Sequence, residues 1–335
     1  MKKKQPTPRN GLLKWLPGIL ISLVIIYFLL RLVNINDLQN TLTSFRPATL
    51  ILIILLVILS IAARSMAWRV MIGEKAKFQD SFFAVSVGYM LNNIIPRSGE
   101  IGKAVLMGAS TGYGTLYVLS TVVVERALDL AIASGMFLST LPLALKMEWL
   151  KPIAVFWLLA VFVGLIVLFI MANNRQSVHR WVTQKGEKSP WIQKYVLPGL
   201  DSLLKGFSIL TKPGQFILSL FWLVLCWTFW ALLYYLAIQT FVPAAHFWWA
   251  IFAQAVLAMG IALPSAPAGL GVFEGALVGA LAVLDPNISQ SVSLGMALVL
   301  HVIQIISTFI LGGIGLLRQG WTMKKLIEQV NIKLS

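Results

Sequence analysis

Along this chain, apolar runs of the about twenty residues that a helix needs to cross a bilayer alternate with short basic stretches. Six runs, at about 12–33, 48–68, 115–140, 152–172, 215–238 and 291–317, predict full membrane-spanning helices. Two further apolar regions, 80–112 and 246–285, are each broken midway by Pro and Gly, so neither reads as one uninterrupted span.

Charge between the runs decides how often the broken regions cross. Basic residues gather at the N-terminus (Lys2, Lys3, Lys4, Arg9, Lys14), from Arg64 to Lys77, between Arg175 and Lys212, and from Arg318 to Lys333. All four stretches are expected on the cytoplasmic side, the N- and C-termini included, in a cell (inner) membrane. Region 80–112 then enters and leaves on the cytoplasmic face, and region 246–285 on the opposite face. Re-entrant helical hairpins satisfy that parity; a pair of full crossings at each site satisfies it as well.

The expected fold is therefore an all-α polytopic membrane protein with about six full spans and two oppositely oriented hairpins in an inverted repeat. Its parts are a basic N-terminus (1–11), one membrane domain (12–320) with halves at about 12–140 and 152–318 joined by a cytoplasmic loop (173–212), and a tail (321–335). The two break sequences also rhyme, Pro96 with Pro264, Gly99 with Gly269 and Gly102 with Gly271. Transporters with inverted repeats and broken helices place their sites near the midplane where the breaks meet.

Composition agrees: 58% of the 335 residues are hydrophobic and 12% charged. The net charge of +15 belongs to the flanks of apolar runs, which excludes nucleic-acid binding as its explanation and suits anionic lipid. "MKKKQPTPRNGLLKW" resembles the start of a signal peptide, but the run after it is long enough to span and lacks a small-residue cleavage site, so it reads as an uncleaved first helix. The single cysteine, Cys226, lies mid-run and reads as a packing residue; neither metal nor cofactor is implied. Twelve tryptophans suit interfacial belts. The segment 191–210 places Ile192, Tyr195, Leu200, Leu203, Leu204 and Phe207 on one face, as in a helix lying on the membrane.

The candidate chemistry lies in charges that lipid would penalise. Glu125, Arg126 and Asp129 sit near the middle of one predicted span, where three charges together cost roughly 8–10 kcal/mol. Glu125 and Asp129 share a helix face, and Arg126 can pair with Asp129. Two readings stay open: an ion-pair knot that locks helices, or the charged wall of a substrate cavity. At the first break, Arg97 follows Pro96 while Glu100 and Lys103 begin the returning half-helix, whose exposed amides beside a guanidinium suit a phosphate. The alternative makes Arg97 and Lys103 interfacial anchors. At the second break, Pro264, Pro267, Gly269 and Gly271 shape a turn, and Glu274, alone in a long apolar region, is expected to pair with Arg97 or Arg126. His301 takes the repeat position of the Glu125 to Asp129 cluster, as an interior histidine, a proton relay or a headgroup ligand.

Together "PRSGEIGKA", "VVERALDL" and "LPSAPAGLGVFEGAL" resemble the flippase-like transmembrane domain of lysylphosphatidylglycerol synthases, a likeness that extends over about residues 10–320. It implies a polytopic lipid-handling protein and, by motif position, roles for Arg97, Gly99, Glu100, Glu125, Arg126, Asp129, Pro264, Gly269, Gly271 and Glu274. Ser98 and Ala268 stand where that family commonly has glycine. Full synthases transfer lysine to phosphatidylglycerol and move the product between leaflets. This sequence ends soon after the last span, so only lipid movement is carried over. The expected function is transport of an anionic or phosphate-headgroup lipid, with membrane lipids as partners and a homo-oligomer or a lipid enzyme as a further partner class. The alternatives are a membrane-embedded polyprenyl-diphosphate phosphatase and a non-transporting scaffold.

Overall fold

The computed structural model of the protein describes residues 23–28, 31, 34–145, 150–186, 207–261 and 266–334. Among them there is no strand. Where water is absent, every backbone N–H and C=O must be satisfied within its own segment, and a helix does so. The helices are α1 (Ile35–Ser44), α2 (Pro47–Ile72), α3 (Phe78–Ile94), α4 (Gly99–Thr111), α5 (Thr115–Leu145), α6 (Leu150–Asn173), α7 (Arg175–Gly186), α8 (Pro213–Phe241), α9 (Phe247–Ile261), α10 (Val272–Leu284), α11 (Gln290–Arg318) and α12 (Met323–Leu334).

Among the described residues, five stretches are long and apolar enough to cross a membrane: α2, α5, α8, α11 and Pro267–Leu284. The last reaches that length only by joining a 3-10 turn, Pro267–Gly269, to α10. Helix α6 adds 24 residues over the predicted span at 152–172. The chain is thus a multi-pass membrane protein. Of the first predicted span, only residues 23–28 and 31 are described, as helix. Most of the amphipathic segment at 191–210 lies outside the described residues, as does Pro264.

Both broken regions form helix pairs. Helices α3 and α4 have 17 and 13 residues, and α9 and α10 have 15 and 13, short of a full crossing of about 20 residues. Each pair packs arm against arm. In the first pair the approach is backbone to backbone, since a Cβ on Gly99 would collide with the carbonyl oxygen of Gly88 and the side chain of Asn92.

The halves repeat one order of packing. Helix α2 packs on α3, α3 on α4 and α4 on α5; likewise α8 packs on α9, α9 on α10 and α10 on α11. The halves interlock because α3 also packs on α11 and α9 on α5, while α2 and α8 share the most extensive contact of the molecule. Three helices were not foreseen, α1, α7 and α12. Helix α1, capped by Asn34 Oδ1 accepting from the amide of Asn36 at 2.9 Å, packs on α11, and α12 packs on α4 with Leu326 fully buried.

Small residues set the α3–α11 distance. A Cβ on Gly312 would lie 2.8 Å from Met90 Cβ and 3.1 Å from the Ser86 carbonyl, whereas one on Gly313 meets nothing within 4 Å. Gly312→Ala is expected to destabilise the detergent-solubilised protein by about 1–3 kcal/mol through overpacking. Gly313→Ala should leave the thermal midpoint unchanged or raise it slightly, the helix propensity of alanine exceeding that of glycine by about 1 kcal/mol.

Candidate functional site

A cavity of about 1100 Å³ opens where the two broken regions meet. Its lining includes Pro96 and Arg97 from the first break, Ala266, Ala268 and Gly269 from the second, Arg64 on α2, and Trp227, Trp230 and Tyr234 on α8. Asn92 and Asn93 of α3, Gln254 of α9, Glu100 of α4, Arg126 of α5 and His301 of α11 add to its polar part. A volume of this order accommodates a ligand of drug or headgroup size.

Both turns are strained at the same point. Among the described residues, Arg97 (φ 64°) and Ala268 (φ 60°) are the non-glycine positions in the left-handed region, at a cost of about 1–3 kcal/mol each. Each follows a proline, so the conformation matches Pro96 and Arg97 with Pro267 and Ala268 rather than with the Pro264 of the sequence alignment. Gly269 (φ 74°) and Gly271 (φ 82°) take the same region without that cost. The first turn is held by Ser98 Oγ donating to the Ile95 carbonyl at 2.7 Å and by Asn92 Oδ1 accepting from the Gly99 amide at 2.8 Å. The first amide of α4 is therefore already engaged.

Beside the first turn lies a buried ion network. Arg64 Nη1 donates to Glu125 Oε1 at 2.7 Å and Asp129 Oδ2 at 2.8 Å, and Nη2 reaches Asp129 Oδ1 at 2.9 Å. Lys103 Nζ donates to Glu125 Oε2 at 2.5 Å and lies 4.5 Å from the ring centroid of the fully buried Trp68. Arg126 bridges Glu100 at 3.1 Å and Asp129 at 3.2 Å, and Trp227 Nε1 donates to Asp129 Oδ1 at 3.0 Å. Three cations face three carboxylates, and Arg97 adds a fourth cation on the cavity wall. Behind the wall, compensation is close to complete, as burial requires. Three buried side-chain atoms of the lining, Arg64 Nε, Glu100 Oε2 and Gln254 Oε1, have no hydrogen-bond partner within the protein.

At the second turn, His301 Nδ1 lies 2.6 Å from Glu274 Oε1, and His301 Nε2 lies 2.9 Å from the carbonyl oxygen of Ala268. Glu274 Oε2 accepts from the Gly271 amide at 2.7 Å, capping the start of α10, and Phe273 stacks on the imidazole at 4.3 Å.

The sequence-selected residues thus fall into two places. Arg97, Glu100, Arg126, His301, Pro96 and Gly269 line the cavity, while Lys103, Glu125, Asp129 and Glu274 lie buried behind it. Gly99, Gly102 and Gly271 shape the turns and their first helical residues; a Cβ on Gly102 would collide with Leu91. Two expectations change. Glu274 pairs with His301 instead of Arg97 or Arg126, because both belong to adjoining arms of the second half. Arg64, grouped with the cytoplasmic basic residues, is 5% exposed and central to the network. Its signal was position, since it lies inside the predicted span at 48–68. Asn92, Trp227 and Gln254 carried only the weaker mark of polar atoms in apolar runs.

Exposure separates structural from cavity-facing roles. Arg64→Met, which leaves two buried carboxylates short of a cation, is expected to cost about 3–5 kcal/mol in thermal stability. Arg126→Met, whose side chain is 44% exposed, should cost less than about 1 kcal/mol. Equal losses in the two variants would contradict this division.

Comparison with known proteins places this architecture. A family described as "Lysylphosphatidylglycerol synthase TM region" matches residues 15–312. The UPF0104 membrane protein MJ1595 of Methanocaldococcus jannaschii is 27% identical over 169 residues, 47% of this chain and 49% of that protein. The alignment thus spans about half the length of that relative. No solved structure matches. With nearly all its described helices inside the matched region, the chain belongs to the lysylphosphatidylglycerol synthase transmembrane-region family.

Proposed function

We propose that the protein moves a lipid with an anionic, phosphate-bearing headgroup between the leaflets of the cell membrane, with both termini on the cytoplasmic side. The observation that carries this reading is the cationic cavity between the two broken regions, with Arg97 at a turn and Arg126 half-exposed on the wall. Guanidinium groups bind phosphate oxygens in a planar, bidentate manner, and in a low-dielectric surrounding such contacts are strong. Arg64 Nε offers one more buried donor, and Gln254 Oε1 an acceptor suited to a hydroxyl or amine of the same headgroup. The acyl chains would remain among the apolar helix faces.

In this reading the hairpins enter from opposite faces, and access alternates as one half rocks against the other. The buried ions behind the wall keep the first half rigid, so Lys103, Glu125 and Asp129 hold the arginines in position and do not touch the lipid. No bond is made or broken. A phosphatase would need an activated nucleophile at the turn, and Ser98, 3% exposed, spends its hydroxyl on the Ile95 carbonyl.

In proteoliposomes carrying a fluorescent phosphatidylglycerol analogue, Arg97→Ala and Arg126→Ala should each slow leaflet exchange about tenfold or more. That follows from losing a charge-assisted hydrogen bond of about 1.5–3 kcal/mol. Their thermal midpoints should stay near that of the unaltered protein. Exchange at the unaltered rate in both variants would sink the assignment.

A further inference from the structure

We propose that Glu274 and His301 form a proton-binding site that latches the second hairpin's turn to α11, so that proton release opens the cavity on that side. The geometry requires the proton. Ala268 offers a carbonyl oxygen, which only accepts, so His301 Nε2 must carry hydrogen to bond it at 2.9 Å. The other nitrogen, Nδ1, stands 2.6 Å from Glu274 Oε1 and needs a second proton between them, on nitrogen or on oxygen. Glu274 Oε2 cannot supply that proton elsewhere, because it accepts from the Gly271 amide. The pair therefore makes both contacts only in its two-proton, electroneutral form. When one proton leaves, a lone pair faces either the carboxylate or the carbonyl, and one of the two contacts is lost.

What the pair holds is the strained part of the turn. One end grips the carbonyl of Ala268, at φ 60°, and the other the amide of Gly271, at φ 82°. The turn in its place packs against α3 of the opposite half and forms part of the cavity wall. His301 itself lines the cavity, which gives the proton a route. The charged and titratable side chains sharing that cavity are Arg64 of α2, Tyr89 of α3, Arg97 and Glu100 around the first turn, Arg126 of α5 and Tyr234 of α8. Helix α9 carries none. Glu100 is paired with Arg126 and Arg64 with Glu125 and Asp129, while Tyr234 Oη accepts from Gln304.

The corresponding pair of the first half behaves differently. Lys103 and Glu125 likewise join the returning arm to the following long helix, but the always-charged Arg64 keeps Glu125 partnered whatever Lys103 does. The first hairpin is a fixed anchor and the second a releasable one. The sign follows from linkage: the latched state binds the extra proton more tightly, so latching is favoured at low pH and lost as pH rises. Coupling of this release to lipid movement rests on the transport reading; the proton site itself does not.

Hydrogen exchange of the full-length protein in lipid nanodiscs, followed over residues 266–274 from about pH 5 to about pH 9 and expressed as protection factors, tests it. The unaltered protein should lose about tenfold in protection as pH rises, as breaking a hydrogen bond worth about one factor of ten implies. Glu274→Gln donates an amide hydrogen to Nδ1 and still accepts from Gly271, so its protection should stay high and flat. His301→Ala should be low and flat. Lipid exchange in vesicles should quicken as pH rises in the unaltered protein and stay slow in Glu274→Gln. Flat protection in the unaltered protein, or the same pH dependence in Glu274→Gln, overturns the proposal. pH-dependent protection that Glu274→Gln abolishes, with no lipid exchange at any pH, upholds the proton site and counts against the transport reading.

Discussion

Arg64 is a guanidinium held inside a membrane protein by two carboxylates of one neighbouring helix, and the first half of the molecule is arranged around it. The distances of 2.7–2.9 Å to Glu125 and Asp129 fix the rotation of α5 about its axis relative to α2. That rotation carries Glu125 to Lys103 on α4 and carries Arg126 to the cavity wall. Removing a charge from such a site leaves buried partners one countercharge short, at about 3–5 kcal/mol, so the arrangement resists drift. A preorganised cationic wall follows, with Arg64 and Arg126 held on the cavity lining by the same acids they neutralise.

The second half repeats the packing of the first and changes its chemistry. Where the first hairpin is tied to its long helix by a lysine, a glutamate and an arginine, the second is tied by a glutamate and a histidine. Both hairpins turn through a left-handed non-glycine residue after a proline, so both store strain next to the shared cavity. In the proposed transport reading, equal strain with unequal fastening would make the first side a pivot and the second a gate for alternating access.

Much of this was legible in the residues. Apolar run length located α2, α5, α6, α8 and α11, because the bilayer imposes a length that few soluble segments match. The breaks at Pro96 and at Pro267 to Gly271 were visible because proline and glycine stand together midway through apolar regions. Glu125, Arg126 and Asp129 announced themselves by their cost in lipid. Arg64 escaped because a basic residue near a span end has a ready explanation as a topological anchor, and only three-dimensional placement shows the acids opposite it. The partner of Glu274 was misjudged for the converse reason: attraction to arginine is the stronger expectation, but histidine is on the adjoining helix. Short gaps leave an alignment of prolines undetermined; the shared left-handed φ at Arg97 and Ala268 pairs Pro96 with Pro267, while Pro264 lies outside the described residues.

The central claim is that the cavity between the hairpins holds a phosphate-bearing lipid through Arg97 and Arg126. Native mass spectrometry of the protein extracted in mild detergent tests it most directly. The account predicts an anionic phospholipid that persists through delipidation of the unaltered protein and is lost from the Arg97→Ala, Arg126→Ala double variant while its fold is kept. Identical lipids at identical occupancy in both proteins would contradict it.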